Sequence, residues 1–310
     1  MEIIGYLITG LVSGILGGLI GIGGGAIVVP ALTLIFHKSP HLAIAASLVQ
    51  MVFVASSSAY GHWKNGYILK AVVMRLVPLA AAFAIVGVFV GSAINGALLA
   101  RIFAVFLVYV AADSGYKLVR NIIKRRQDEE PLSQFRPRNE WGIPAVAVPM
   151  GFSCGVLGIG GGSIAVPMLH VFLKLPLKNA IANSAAAIFF SSIIASVVKL
   201  MSINGMVVDA AGGTTAVLHW YDALVVGLLL APGSFAGGRL GAHLAKKAPT
   251  KIIQAVFILV LLYSAYGMWQ KAEKPAKGEA HVGAEAPAVE GSPGASGGQS
   301  EVRGPSDSAP

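Results

Sequence analysis

Residues 18–32 read GLIGIGGGAIVVPAL, and residues 155–169, 137 positions later, read GVLGIGGGSIAVPML. Each string ends a long apolar run with three consecutive glycines, Gly23, Gly24 and Gly25 in the first and Gly160, Gly161 and Gly162 in the second. Three glycines in a row make continuous helix unfavourable and let backbone approach backbone without a Cβ in the way. A chain that does this at corresponding places in two halves fits a duplicated membrane protein built around broken helices.

The apolar runs carry the membrane part of that expectation. Hydrophobic residues make up 55% of the chain and charged residues 12%, against about 25% charged in a soluble domain. Several runs, among them 3–22, 76–94 and 181–198, approach the roughly 20 residues that cross a hydrocarbon core of about 30 Å. The first run lacks a basic leader and a cleavage site and is expected to be a retained helix, not a signal peptide. The net charge of +9 sits in short segments between apolar runs, where lipid headgroups and the positive-inside rule account for it, so no nucleic-acid partner is expected. Cys154 is the single cysteine, which excludes an intrachain disulfide.

The expected fold is an all-α polytopic membrane protein of two homologous repeats, with about eight transmembrane helices and two short Gly-initiated re-entrant or half helices. Helices are expected near 3–22, 42–60, 70–95 and 99–122 in the first half and near 142–160, 179–201, 220–245 and 251–270 in the second. The short segments at 26–36 and 163–173 reach only about 16 Å as helix. Residues 1–116 form the first membrane repeat, 117–140 a basic linker expected in the cytoplasm, 141–271 the second repeat and 272–310 a tail with the composition of a disordered segment. Residues 209–219 are extra in the second half and are expected as an inserted loop. Two orientations stay open. If the short segments do not cross, each half has four spans and the repeats run parallel, which their length favours. If they cross, each half has five, the repeats are inverted, and Lys174, Lys178, Arg239, Lys246, Lys247 and Lys251 gather on the cytoplasmic side, which the charge rule favours.

A half helix that starts at a glycine break turns free N–H groups and a positive dipole end into the protein, which makes an anion site without a charged side chain. Polar residues inside the apolar helices, Ser47 and Gln50 in one half and Ser163, Asn183 and Ser184 in the other, are candidate donors to that anion or bonds between helices. Arg239 is a candidate anion ligand or a snorkelling side chain, and Asp113 a candidate proton carrier or an interfacial carboxylate. Lys64, Arg75, Lys199 and Asp222 stand at the ends of apolar runs and are expected as interfacial anchors. Gly10, Gly14 and Gly18, like Ala147, Gly151 and Gly155, recur every four residues, the spacing of close helix packing. A GxGxxG-like string at Gly21 follows no soluble strand and precedes no Gly-Lys-Ser/Thr, so a nucleotide loop is not expected. His62, His219 and His243 lack paired ligand spacing, and no nucleophile elbow or carboxylate pair stands in the runs; neither a metal, a cofactor nor an enzyme is expected.

The twin Gly-Ile-Gly-Gly-Gly-x-Ile-x-Val-Pro strings, the Ala46-Ser47-Leu48 and Asn183-Ser184-Ala185 positions about 17 residues past each proline, and the closing Gly-xxx-Gly-Ala segment resemble the sulfite exporter TauE/SafE family over roughly residues 5–270. The resemblance implies a multi-pass permease of a bacterial-type cytoplasmic (inner) membrane that moves small sulfur-containing anions such as sulfite, sulfoacetate or another organosulfonate. One half has Ala46 where the other has Asn183, so the halves are expected to contribute unequally. A membrane scaffold that uses the basic linker to hold a partner, and an anion channel, are the alternative readings.

Overall fold

The structure, a computed structural model, describes residues 2–20, 23–123, 142–209, 215–244 and 250–273. Ten helices carry the fold: α1 (Glu2–Ile20), α2 (Gly25–Pro30), α3 (Pro40–Lys64), α4 (Lys70–Ala93), α5 (Gly96–Ile123), α6 (Gly142–Leu157), α7 (Gly162–Phe172), α8 (Leu177–Ile203), α9 (Trp220–Leu244) and α10 (Thr250–Glu273). Seven of them, α1, α3, α4, α5, α8, α9 and α10, are long and apolar enough to cross a bilayer. The eighth expected span, α6, has 16 residues, or about 24 Å, because Gly158 leaves the helical region at φ 64° directly after it. The inserted segment contributes a feature the helical reading did not foresee. Two strands, β1 (Met206–Asp209) and β2 (Thr215–Leu218), pair antiparallel with Met206 opposite Leu218. Helix α5 runs through to Ile123, so the first seven residues of the expected linker are helical. The rest of the linker, and the tail beyond Glu273, lie outside the described residues.

Contacts between helices give each one a direction. Tyr6 near the start of α1 stacks on Phe36, with ring centroids 4.4 Å apart, while a Cβ on Gly24 would lie 3.1 Å from the Ser13 carbonyl. The chain therefore enters along α1, turns at the glycines deep in the bundle, and comes back along α2 to the end where it began, here termed the proximal end. Helix α3 leaves from there and, at 25 residues, reaches the distal end; α4 returns and α5 goes out again. In the second half the polarity is reversed. Gly151 and Gly155 of α6 press on Ala80 and Ala84 of α4, so α6 runs parallel to α4 and starts at the distal end. The Asn179 side chain donates to the Tyr67 carbonyl, 2.9 Å, which starts α8 at the distal end, and the Arg101 guanidinium reaches the Ala272 carbonyl, 3.2 Å, which finishes α10 at the proximal end.

These directions correct one link in the sequence argument. Short segments that fail to cross were expected to go with parallel halves, yet the short helices turn back and the halves still run in opposite directions. The reason is parity: in-and-back pairs α1–α2 and α6–α7 make no net passage, which leaves three passages per half.

Small residues set how closely the helices approach. Gly10, Gly14 and Gly18 lie against Leu230, Ser234 and Gly238 of α9, and Gly233, Gly237 and Gly241 answer against Leu7, Leu11 and Ile15 of α1. In lipid, where apolar side chains gain little by meeting each other, such backbone approach is what drives association. Outward faces carry large apolar side chains, such as Phe190, Ile193, Ile194, Val197 and Met201 on α8.

Candidate functional site

The two glycine breaks meet each other. Gly23 and Gly24 sit at φ 92° and 81°, and Gly160 and Gly161 at 85° and 66°, conformations that a side chain rarely tolerates. With these turns α2 starts on Gly24 and α7 on Gly161, each in the left-handed conformation and without a side-chain cap. A Cβ on Gly25 would overlap the Gly158 carbonyl and stand 2.9 Å from both the Ile159 Cα and the Ser47 Oγ. Backbone of one break thus lies on backbone of the other, with no side chain between.

Around this crossing the sequence candidates separate into those already bonded and those left open. Ser47 donates its hydroxyl to the Gly158 carbonyl at 2.7 Å, so it ties the breaks together. Gln50 donates through Nε2 to Ser234 Oγ at 2.6 Å and Ser13 Oγ at 3.2 Å, joining α3, α9 and α1, while its Oε1 has no partner. Asn183 accepts the Leu69 N–H at 2.9 Å and donates to the Asn179 carbonyl at 2.7 Å; its oxygen holds the α3–α4 turn and its nitrogen is spent on its own helix α8. Ser163 and Ser184 are different. Both are buried, and among the described residues neither hydroxyl has a hydrogen-bond partner. Buried hydroxyls are ordinarily paired; Ser163 stands in the first turn of α7 and Ser184 on α8, which packs against α7, and both are donors held in reserve.

Helix α7 supports them. Its first internal bonds run from Ile164 and Ala165 to the Gly161 carbonyl, which leaves the N–H groups of Gly162 and Ser163 ahead of the ladder. Helix α2 makes the same start, with Ile27 and Val28 bonded to the Gly24 carbonyl, and then widens after Pro30 into a π-turn over Ala31–Ile35. The space beside Gly17, Gly23, Val54, Ser58 and Ala185 is too narrow for more than a single water.

Two candidates lie elsewhere. Arg239 is exposed, its guanidinium 6.0 Å from the centre of the Tyr60 ring, and the structure does not bring it to the glycine crossing. Exposure beside an aromatic ring is the arrangement that a snorkelling side chain adopts. Asp113 is half-buried on α5, four residues from Tyr109 and within electrostatic reach of it, away from both breaks. Lys64 and Arg75, expected as anchors, are exposed, and Asp222 accepts the His219 N–H at 3.1 Å at the start of α9. The anchor expectation fails for Lys199, which is completely buried and donates to Ser92 Oγ at 2.9 Å. The apolar run appeared to end at Val198, but α8 continues to Ile203 and carries the lysine inside. Its spacing from Ser184 on one helical face was the signal available to find it.

The chain is 25% identical to the probable membrane transporter protein MamO of Magnetospirillum gryphiswaldense over 86% of its own length but 45% of that protein, so it spans less than half of this relative. It is 29% identical to the probable membrane transporter protein YunE of Bacillus subtilis, with 84% of this chain and 95% of the relative covered. A probable membrane transporter protein of Haemophilus influenzae is 28% identical, with 86% and 97% covered. No solved structure matches the chain. The family model for the sulfite exporter TauE/SafE matches residues 6–268, a stretch that holds both glycine breaks and all ten helices but the ends of the first and last: this multi-pass membrane protein belongs to the sulfite exporter TauE/SafE family.

Proposed function

We propose that the protein is a transporter that carries small sulfur-containing oxyanions, such as sulfite or an organosulfonate, across a bacterial-type cytoplasmic membrane by alternating access. The observation that carries this reading is the uncapped start of α7 with the buried Ser163 hydroxyl in its first turn, together with the buried Ser184 hydroxyl on the adjoining α8, neither of which has a partner among the described residues. An oxyanion needs several oriented donors and no competing carboxylate. The N–H groups of Gly162 and Ser163, the two hydroxyls and the positive end of the α7 dipole supply them.

Movement of the anion requires the crossing to open toward one end at a time. The bond from Ser47 to Gly158 holds the two breaks together in the closed arrangement, and the opposed halves give equivalent ways to open on either side. Lys64, Lys70, Arg75, Lys174, Lys178 and Arg239 belong to segments at the distal end, which the positive-inside rule assigns to the cytoplasm. The membrane potential then favours anion exit by about 2.3 kcal/mol per charge per 100 mV. Family membership and the relatives' descriptions as probable transporters support transport over the scaffold reading. Radiolabelled sulfite and sulfoacetate flux in proteoliposomes tests the proposal. Saturable flux that falls about tenfold or more in a folded Ser163→Ala, Ser184→Ala double variant is the expected result. Flux of neither anion in folded wild-type protein overturns the substrate assignment, and flux unchanged in the double variant overturns the site.

A further inference from the structure

A buried ammonium without a counter-charge is among the costliest groups a membrane helix can hold, and such groups mark ion pathways. Lys199 is one. It is wholly buried, and among the described residues its only partner is the neutral hydroxyl of Ser92, leaving most of its donor capacity unused. The ring of His41 lies within electrostatic reach of the ammonium, and its Nδ1 has no partner. Both Ser92, at the end of α4, and His41, at the start of α3, belong to the proximal end.

Helix α8 connects this cluster to the glycine crossing. Ser184, Ile188, Ser191, Ala195 and Lys199 follow one another at steps of three and four residues and therefore share a face. All five are buried, while Phe190, Ile193, Ile194, Val197 and Met201 are exposed on other faces. Ser184 and Ser191 on the buried face both carry hydroxyls with no partner among the described residues. Orphaned hydroxyls are rare singly; here two lie in line with an unpaired cation, over about 22 Å of helix.

We propose that Lys199, with Ser92 and His41, is a second binding station for a small oxyanion, linked to the glycine crossing by the hydroxyls of Ser184 and Ser191 along the buried face of α8. This inference rests on the anion-transport reading and deepens it. The station lies on the proximal side, so it holds the anion after the crossing opens in that direction. An oxyanion there accepts charge-assisted hydrogen bonds from the ammonium and supplies the counter-charge that the protein lacks.

The test measures equilibrium binding of radiolabelled sulfite to the purified full chain in detergent, with thermal unfolding alongside, for wild type, Lys199→Met, Lys199→Arg and Ser191→Ala. Lys199→Met is expected to remain folded and to bind sulfite about tenfold or more weakly; Lys199→Arg keeps affinity within about threefold of wild type, since it keeps the charge. Ser191→Ala removes an unsatisfied group, so it unfolds no earlier than wild type and loses affinity by a few fold. Should Lys199→Met not fold, Lys199→Arg and Ser191→Ala decide the matter by the same readouts. Wild-type affinity in Lys199→Met, or in Ser191→Ala where the Met variant fails, overturns the station while leaving the glycine site intact. Unchanged affinity together with proteoliposome flux that no longer follows an imposed proton gradient also overturns it and makes Lys199 a proton carrier. Absence of sulfite binding by folded wild type removes the parent reading and this one with it.

Discussion

The first and second glycine breaks are nearly identical in sequence and differ in what surrounds them. Around the first, the main donors are engaged: Ser47 bonds across to Gly158, and Gln50 Nε2 ties Ser13 and Ser234 together, while Gln50 Oε1 and Ser58 Oγ lack partners among the described residues. Around the second, Ser163 and Ser184 have no partners, and the residues at the corresponding places of the first half are Ala26 and the fully engaged Ser47. Downstream the difference continues, since α7 remains α-helical past Pro167 to Phe172 whereas the first segment becomes a π-turn after Pro30. Near-equal backbone therefore hosts unequal chemistry. One break is a fastened hinge surface, and the other presents donors.

Substitutions can break this contrast. The largest effects are expected where the two breaks are alike. Gly25→Ala and Gly161→Ala each place a methyl group onto backbone, the Gly158 and Met150 carbonyls respectively, and Gly161 also holds a positive φ. Each is expected to lower stability by about 3 kcal/mol or more, read as loss of folded protein in size-exclusion chromatography and a lower thermal midpoint. If Gly25→Ala is as stable as wild type, the close crossing is wrong; if Gly161→Ala is, the tight approach of the α7 start to α6 is wrong.

Next come the serines, which should separate stability from function. Ser47→Ala strands the buried Gly158 carbonyl and is expected to cost about 1–3 kcal/mol. Ser184→Ala strands nothing, so its thermal midpoint stays at the wild-type value while sulfite flux falls several-fold. Equal stability losses in the two variants would erase the distinction between the halves. Asn183→Ala removes two buried hydrogen bonds to the Leu69 N–H and Asn179 carbonyl and belongs with Ser47, at about 2 kcal/mol in urea or thermal unfolding. The smallest effect is assigned to Arg239→Gln. An exposed guanidinium resting on Tyr60 contributes about 1 kcal/mol or less, and flux should stay within about twofold; a tenfold loss would bring Arg239 back to the anion path.

Much of this was legible in the chain because it is local. Triple glycines dictate a break wherever they fall, and short apolar segments after them dictate half helices. Gly10, Gly14 and Gly18 announce a close helix contact, and α9 fills it. The functional assignments were harder, since a serine or asparagine in an apolar helix reads the same whether it bonds a neighbour or waits for a ligand. Ser47 and Ser184 occupy matching places, yet only packing gives the first an acceptor 111 positions away. Lys199 was misread for a related reason: a hydropathy run ends at a charge, whereas the helix does not have to. The hairpin at Met206–Leu218 was read as loop because two four-residue strands are too short to show a period.

By itself the sequence determined a membrane-embedded helical chain with two helix breaks, because run length against bilayer thickness and the backbone freedom of glycine act within a few residues. Tertiary structure alone decided that the short helices turn back, that the halves oppose each other, that the breaks touch, and that Ser163, Ser184 and Lys199 are buried without adequate partners. Those properties depend on which distant segments share a given few ångströms, and in a bilayer that choice is made by close packing and hydrogen bonding between helices, which no single helix encodes.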